Sequence, residues 1–428
     1  MTVAELSRPG TPGEAVDGMT PHLVAEPTTG SACAAVLAAA AASRLSTVIR
    51  GGGTKSGWGR PVDAVHLVVS TKSLGNLLVH RDGDLTVTVG AGVTLARLNT
   101  TLSARGQWLP VDSAFVGATV GGALATNDSG PLRQRFGTPR DLLIGITLAL
   151  TDGHVVKSGG TVVKNVAGYD LGKLVTGSYG ALAAIVDATF KLLPLPHASA
   201  TLRTVYADPE PLAADAAALA AGQLEPVAFD VRAADTSDGP RWTLFVRFAS
   251  SPAAVSTQLE AARALVHGES TALREGLETR AWSEQVGLAW EGAPSTALGA
   301  GPSTALGAGP SAALGAGAVV RCSWLPSRLG EILALVRALR AECGVTLTGR
   351  VGTGTGLLRI TGPDPSVAAA VERLRLDSSP VGHVVLLRGS RALRTQVDVW
   401  GAAPSAPAAA LKRALDPTGI LNAGRGPL

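Results

Sequence analysis

Arg50-Gly51-Gly52-Gly53-Thr54-Lys55-Ser56-Gly57 is a stretch that can do chemistry with its backbone alone. Three glycines follow an apolar β-branched run. The chain there can adopt left-handed angles and aim successive N–H groups at one point. Such a nest binds phosphate oxygens. The stretch matches neither G-x-x-x-x-G-K-[ST] nor a helix-opening G-x-G-x-x-G, so it is not one of the common mononucleotide or dinucleotide loops. Alone it would read as an ordinary Gly-rich turn. Two more clusters change that. Gly117 to Gly130 follows Pro110-Val111-Asp112, with Gly121-Gly122 for close backbone approach and Thr119, Asn127 and Ser129 as short donors and acceptors. Gly159 to Leu171 continues into Gly177-Ser178-Tyr179-Gly180. Three Gly-rich loops between strands imply backbone shaped around one extended ligand.

Other chemistries are poorly supplied. The three cysteines, Cys33, Cys322 and Cys343, form no C-x-x-C pair. An iron–sulfur cluster takes about four thiolates, so the chain alone holds no ordinary one. A disulfide framework is equally unsupported, and a reducing cytoplasm fits. None of the seven histidines pairs with another at i,i+4 spacing, so no metal site is expected. The net charge of +4 is not gathered into basic runs, which argues against nucleic acid. The apolar run Ala32 to Ala42 is too short to span a membrane and reads as an Ala-rich helix packed on a sheet.

The elements that must position these loops alternate along 428 residues, 46% hydrophobic and 16% charged, enough for two or three domains. Residues 1–26, with Pro9, Pro12 and Pro21, read as a loose tail. Ser46–Arg50, Ala64–Val69 and Leu85–Val89 read as strands, and Thr94 caps a helix that Gly106 stops. Leu142–Leu150 and His154–Lys157 flank an Asp-Gly turn, which reads as a hairpin. A strand from Ala181 to Leu193 ends at Pro194 and Pro196, the expected domain boundary. Beyond it a β–α–β rhythm predicts an α+β unit with helices on one sheet face. Pro294 to Gly317 repeats an octapeptide three times without charge, and reads as a flexible surface insertion.

RGGGTKSGWG, PVDSAFVGATVGGALATNDSGPLR, RD at Arg140-Asp141 and VVKNVAGYDLGKLVTGSYG resemble the FAD-binding domain of the vanillyl-alcohol-oxidase (PCMH-type) superfamily. Within it they are similar to the FAD-binding subunits of bacterial glycolate oxidase (glycolate dehydrogenase). The tail Asp416-Pro417 to Asn422-Ala423-Gly424-Arg425 resembles that family's ending. The resemblance implies an α+β fold. A PCMH-type domain of two α+β subdomains would cover 27–196, and a ferredoxin-like cap 197–400. A C-terminal segment, 401–428, would return to the flavin. It implies non-covalent FAD, since no His stands where many relatives carry their tether.

Residue by residue, the resemblance puts Gly51, Gly52, Gly53, Thr54, Lys55 and Ser56 around the pyrophosphate. Pro110, Asp112, Gly117, Thr119, Gly121, Gly122, Asn127, Ser129 and Gly130 would follow the ribityl chain and ring. Ala184 and Ile185 would meet the adenine, and Asn422 the returning turn. Arg425 would sit at the polar edge of the flavin as a catalytic cation, or else be a solvated tail charge. Tyr169 would lie on the flavin, or else Gly168-Tyr169-Asp170 would open a helix. Lys164 and Asn165 read as hairpin residues. The family's His-rich metal motif has no counterpart: Gly349 to Gly356 keeps glycines only, leaving Arg350 or Arg359 to meet a carboxylate unless each is a surface charge. The activity implied is oxidation of a 2-hydroxy acid, glycolate to glyoxylate, or relay of its electrons. The partners implied are a larger FAD subunit and an iron–sulfur subunit. The location implied is cytoplasmic, with those partners able to bring it to the inner membrane. A non-catalytic FAD-fold scaffold and a stand-alone oxidase of another substrate are the alternatives.

Overall fold

The computed structural model describes residues 2–162, 168–236, 239–290, 317–376 and 378–428. The octapeptide repeat before Gly317, and Lys164 and Asn165, lie outside the described residues.

Among the described residues three large sheets carry the chain, and a two-stranded ribbon pairs Gln107–Trp108 with Leu193–Pro194. The first has the order Arg8–Pro9, Leu23–Ala25, Leu67–Ser70, Thr47–Arg50, and its last three strands run parallel. Parallel neighbours need a crossover. The Ala-rich helix Gly30–Ala42 supplies one, capped by Thr29, whose side chain accepts from the Ala32 amide. Its small residues let it pack closely. Cys33, Ala34, Val36, Leu37 and Ala40 are buried with Leu67 and Val69 of the first sheet and Ala184 and Val186 of the second. A helix apolar nearly all round is one covered on several sides.

The second sheet is antiparallel, in the order Leu77–Arg81, Thr86–Gly90, Ala184–Lys191, Leu143–Ala149, Val155–Gly159. The third is an eight-stranded antiparallel sheet running from Ala198 to Arg388. Helices Pro209–Ala221, Pro252–Arg263, Leu329–Leu339 and Asp364–Arg375 cover one of its faces and bury a continuous core there. Side chains alternate along a strand. The opposite face therefore offers Val319, Val385 and Leu387, which join the core of Trp58, Phe115 and Val120. The architecture is α+β. The large sheet leans on the Gly-rich region through its other face, part of which the helix Glu275–Gly287 covers with Trp282 on Phe245, so the helices are not confined to one face as the β–α–β rhythm predicted.

Several elements differ from expectation. Residues 2–26 are not a loose tail. Arg8–Pro9 pairs with Leu23–Val24, Val3 and Val16 are buried, and Asp17 binds Arg394 at 2.5 Å with both side chains nearly sequestered. The prolines misled because they terminate local structure without preventing tertiary packing. Gly117 to Gly130 is not all loop: Val120–Thr126 is a helix, which Thr119 caps by accepting from the Gly122 amide at 3.3 Å. Its glycines hid the helical pattern. The strands Ala228–Thr236 and Gly344–Arg350 and the helices Glu275–Gly287 and Ala406–Leu415 had no clear sequence signature. Among the described residues no helix is long and apolar enough to cross a membrane.

Candidate active site: a backbone groove and a cationic cavity

The strand Thr47–Arg50 delivers the first Gly-rich loop into a groove enclosing about 870 Å³, part of it open to solvent. Gly51 to Ser56 form one wall. Thr119, Gly121, Gly122, Ala125 and Thr126 form another, and Tyr179, Gly180, Ile185, Asn422 and Arg425 complete it. The two Gly-rich loops touch. A Cβ on Gly52 would lie 1.9 Å from the Gly117 carbonyl oxygen. Gly53 has φ +74°, and a Cβ there would meet the Arg50 guanidinium at 2.4 Å. These positions require glycine for space and for angle.

Among the described residues, the amides of Gly51, Gly52, Gly53, Thr54 and Lys55 have no backbone acceptor. Ser56 and Trp58, by contrast, donate back to Gly53 and Lys55 at 3.2 and 3.1 Å. Five successive amides without a backbone acceptor at a groove wall are compatible with the anion nest the sequence implied. A diphosphate fits that donor set, and the same groove is also lined by Ile185 and Arg425. FAD is therefore compatible with the residues present.

The C-terminal segment closes the groove. Leu421 bridges to Thr47, the Thr47 amide donates to Ile420 and the Asn422 amide donates to Thr47, both at 2.9 Å. The Asn422 side chain donates to the Tyr179 carbonyl, while its Oδ1 has no partner. Arg425 is 5% exposed. Its Nε and a terminal nitrogen donate to the Trp58 carbonyl at 3.0 and 2.8 Å, and the guanidinium also reaches the Ser56 carbonyl. Burial pulls its pKa down to about 10. It is thus no solvated tail charge: it pins the end of the first Gly-rich loop.

A second hollow, about 560 Å³ with part of it open to solvent, adjoins the groove at Trp58. It is lined by Asn127, Asp128, Ser129 and Gly130 from below and by Trp290, Arg321, Arg350, Thr355 and Leu357 from above, with Arg133 between. Trp58 stacks on Trp290 with ring centroids 5.3 Å apart. Asp128 pairs with Lys55 at 2.9 Å, joining the wall of one hollow to that of the other. The Lys55 ammonium also sits 5.0 Å from the Phe115 ring centroid. Arg350 is buried, so the alternative of a surface charge does not hold. Its Nε lies 3.9 Å from Asp230, which accepts from Gln285 at 3.1 Å. Burial lifts the Asp230 carboxyl to about 6. The Arg133 guanidinium is held below its usual range by burial and by the like charges of Arg350 and Arg321. Burial raises the Tyr179 hydroxyl, which has Arg321 beside it.

Of the residues expected to bind cofactor, the groove gathers Gly51, Gly52, Gly53, Thr54, Lys55, Ser56, Thr119, Gly121, Gly122, Ile185 and Asn422. Asn127, Ser129 and Gly130 line the second cavity instead. Pro110, Asp112, Gly117 and Ala184 stand behind the lining. Asp112 accepts from the Gly130 and Leu132 amides at 2.8 and 3.1 Å and so staples the second loop. Ala184 is buried against the Ala-rich helix. Tyr169 does not join the site. It is 92% exposed beside a different hollow, because Asp170 opens the helix Leu171–Val175 by accepting from the Lys173 amide. The sequence reading missed Arg133, Arg321, Trp290 and Arg50. An Arg inside a strand or after a turn has no local signature.

Comparison with known proteins agrees with this geometry. Residues 21–159 match the family model described as an FAD binding domain. The chain is 36% identical over 166 residues to glycolate oxidase subunit GlcE of Escherichia coli, covering 38% of this chain and 47% of that one. It is 34% identical over 172 residues to a D-lactate dehydrogenase of Archaeoglobus fulgidus, covering 40% and 39%. The matches span less than half of these relatives' length. Among solved structures, a chitooligosaccharide oxidase superposes with TM-score 0.67 at 16% identity, over 95% of this chain and 91% of that one. An alkyldihydroxyacetonephosphate synthase superposes with TM-score 0.66 at 13% identity, over 94% and 76%. The N-terminal region thus matches an FAD binding domain, and FAD is the cofactor that match supports.

Proposed function

We propose that this chain is an FAD-dependent oxidoreductase acting on a 2-hydroxy acid, as one subunit of a complex of the glycolate oxidase kind. The observation that carries the reading is the contact between two unlike hollows. A groove built for a diphosphate adjoins a cavity built for an anion, and they share Trp58. Bound FAD supplies the two-electron acceptor that none of the twenty side chains provides. The amides of Gly51 to Lys55 would hold its diphosphate, and Asn422 and Arg425 would close the far end. Among the described residues no His or Cys lines the groove, which supports non-covalent binding. The arginines of the second cavity would hold the acid, and the Trp58–Trp290 stack would keep water away. A larger FAD-binding subunit and an iron–sulfur subunit would receive the electrons.

One observation favours a second reading, an FAD relay or scaffold subunit without turnover. Asp128 is the carboxylate among the described residues lining the second cavity, and it is already paired with Lys55. No histidine lines either hollow. The visible spectrum of the purified chain separates the two. A near-stoichiometric flavin band, released by acid and bleached anaerobically by glycolate or lactate, is expected of the enzyme. A band that neither acid bleaches until the partner subunits are added supports the relay. A colourless protein refutes both.

A further inference from the structure

The second cavity holds more positive charge than one carboxylate needs. Arg133 comes from the short helix Arg133–Phe136, Arg321 from the strand Gly317–Trp324 and Arg350 from the end of Gly344–Arg350. All three line one hollow. Arg350 has Asp230 as a distant counter-ion at 3.9 Å, and its buried Nε makes no hydrogen bond. Among the described residues, neither Arg133 nor Arg321 has a carboxylate oxygen within ion-pair distance; Arg133 reaches only the Ser129 hydroxyl at 3.4 Å. The lining carboxylate, Asp128, is neutralised by Lys55. Asp141 and Asp112 act on Arg133 only from a distance, Arg321 lies beside the Tyr179 hydroxyl, and both guanidiniums are half-buried, so the hollow keeps an excess of positive charge. Unpaired charges are costly to bury, so a fold that retains them is poised to receive an anion. The same lining also offers carbon surface from Trp58, Trp290, Val286, Leu357 and Leu387, beside the polar Asn127, Ser129 and Thr355. That arrangement fits a short carbon skeleton with a charge at each end.

We propose that the second cavity selects a doubly negative 2-hydroxy acid, one bearing a further carboxylate or a phosphate besides the carboxylate next to its hydroxyl. The inference rests on the reading of the chain as an oxidoreductase of hydroxy acids and names the class of acid. One guanidinium meets each anionic group as a fork, and Arg350 tunes the field from behind. A monocarboxylate such as glycolate compensates one charge and leaves the other exposed to the apolar wall. It binds, but weakly.

The test is calorimetric titration of the full-length chain, with the flavin it retains, at constant ionic strength. The probes are malate, 2-hydroxyglutarate and 3-phosphoglycerate, both enantiomers where available, against glycolate and lactate. At least one dianion is expected to bind about tenfold tighter than either monoanion, since one charge-assisted hydrogen bond is worth about that factor. The carboxylate and phosphate arms tell which second group is read. Arg133→Gln and Arg321→Gln should each lose about tenfold for that dianion and little for glycolate, and Arg321→Lys should keep most of the preference. Equal affinity for dianions and monoanions overturns the proposal. So does unchanged dianion binding in both Gln variants. If the Gln variants fail to fold, the wild-type ratio and the Lys variant still decide it. The flavin-to-protein ratio of the same sample judges the cofactor separately. Flavin without discrimination sinks only this inference, and discrimination without flavin sinks only the cofactor reading.

Discussion

The groove and the cavity beside it offer an anion opposite kinds of donor. The groove uses backbone: five amides in a row, placed by glycines that leave no room for a Cβ. The cavity uses side chains: three guanidiniums carried on separate elements and held over a floor of loop. A backbone nest is rigid, nearly insensitive to pH, and destroyed by any added atom. A side-chain site is adjustable, sensitive to its counter-ions, and tolerant of change one residue away. The groove therefore suits a cofactor that stays, and the cavity suits a ligand that comes and goes.

The largest effect should come from crowding the nest. Gly52→Val places a side chain where the Gly117 carbonyl already stands 1.9 Å from the Cβ position. Both Gly-rich loops would have to move, at a cost of about 3 kcal/mol or more. Flavin retained after gel filtration should fall to near zero, with a lower melting temperature. Retention of full flavin would break the contrast, because it would show that the nest is not what holds the cofactor.

The next effect tests the link between the two regions. Lys55 and Asp128 are nearly buried, so removing one partner strands the other. Lys55→Met should destabilise the chain by about 3 kcal/mol, while the double change Lys55→Met with Asp128→Leu should recover much of it. Chemical denaturation of the two variants measures the difference. If the double variant is no better than the single one, the pair is not coupling the hollows.

A smaller effect concerns pH. Burial lifts the Asp230 carboxyl to about 6 from an ordinary value of 3.8. The folded chain thus keeps a proton that the unfolded chain releases. Its contribution to stability is fully present below about pH 4 and is lost as pH rises toward 6. Arg350, Gln285, Arg232 and Asp112 are the groups that act on this carboxyl. Asp230→Asn should flatten that slope. In the same window, protonation removes the counter-ion of Arg350, so anion binding in the second cavity should strengthen as pH falls from 7 to 5. Flavin retention in the groove should not follow. A parallel pH dependence of both would erase the distinction between them.

The smallest effect belongs to Tyr169. It is nearly fully exposed and lies on neither wall. Tyr169→Ser should change stability by less than about 0.5 kcal/mol and leave flavin content unchanged. A substantial loss of flavin would return this residue to the site from which the geometry removes it.

Legibility in the sequence follows the same division. Thr47–Arg50 leading into three glycines, the Thr94 cap and the Asp152-Gly153 hairpin are set by neighbouring residues, and they formed where the pattern put them. The C-terminal turn at Asn422 was legible only through the family resemblance, and the chain does turn back there onto Thr47. The N-terminal segment was misread because its prolines speak only of local structure. Its burial comes from a distant ion pair, Asp17 with Arg394, and from Gly13, whose carbonyl accepts from Arg50 at 3.2 Å. The octapeptide repeat before Gly317 lies beyond comparison.

The sequence by itself determined the backbone freedom of the Gly-rich loops, while the cofactor came from their resemblance to a known family. Conformational freedom is a property of each residue and needs no partner. Only the tertiary structure decided the second cavity. Arg321 stands opposite Leu357, and Arg350 opposite Thr355, so strand register turns both arginines toward Arg133. Side chains alternate faces along a strand, and a slip of one residue would send Arg321 into the helix-covered core. Register is settled by the packing of the whole sheet, and no stretch of neighbouring residues records it.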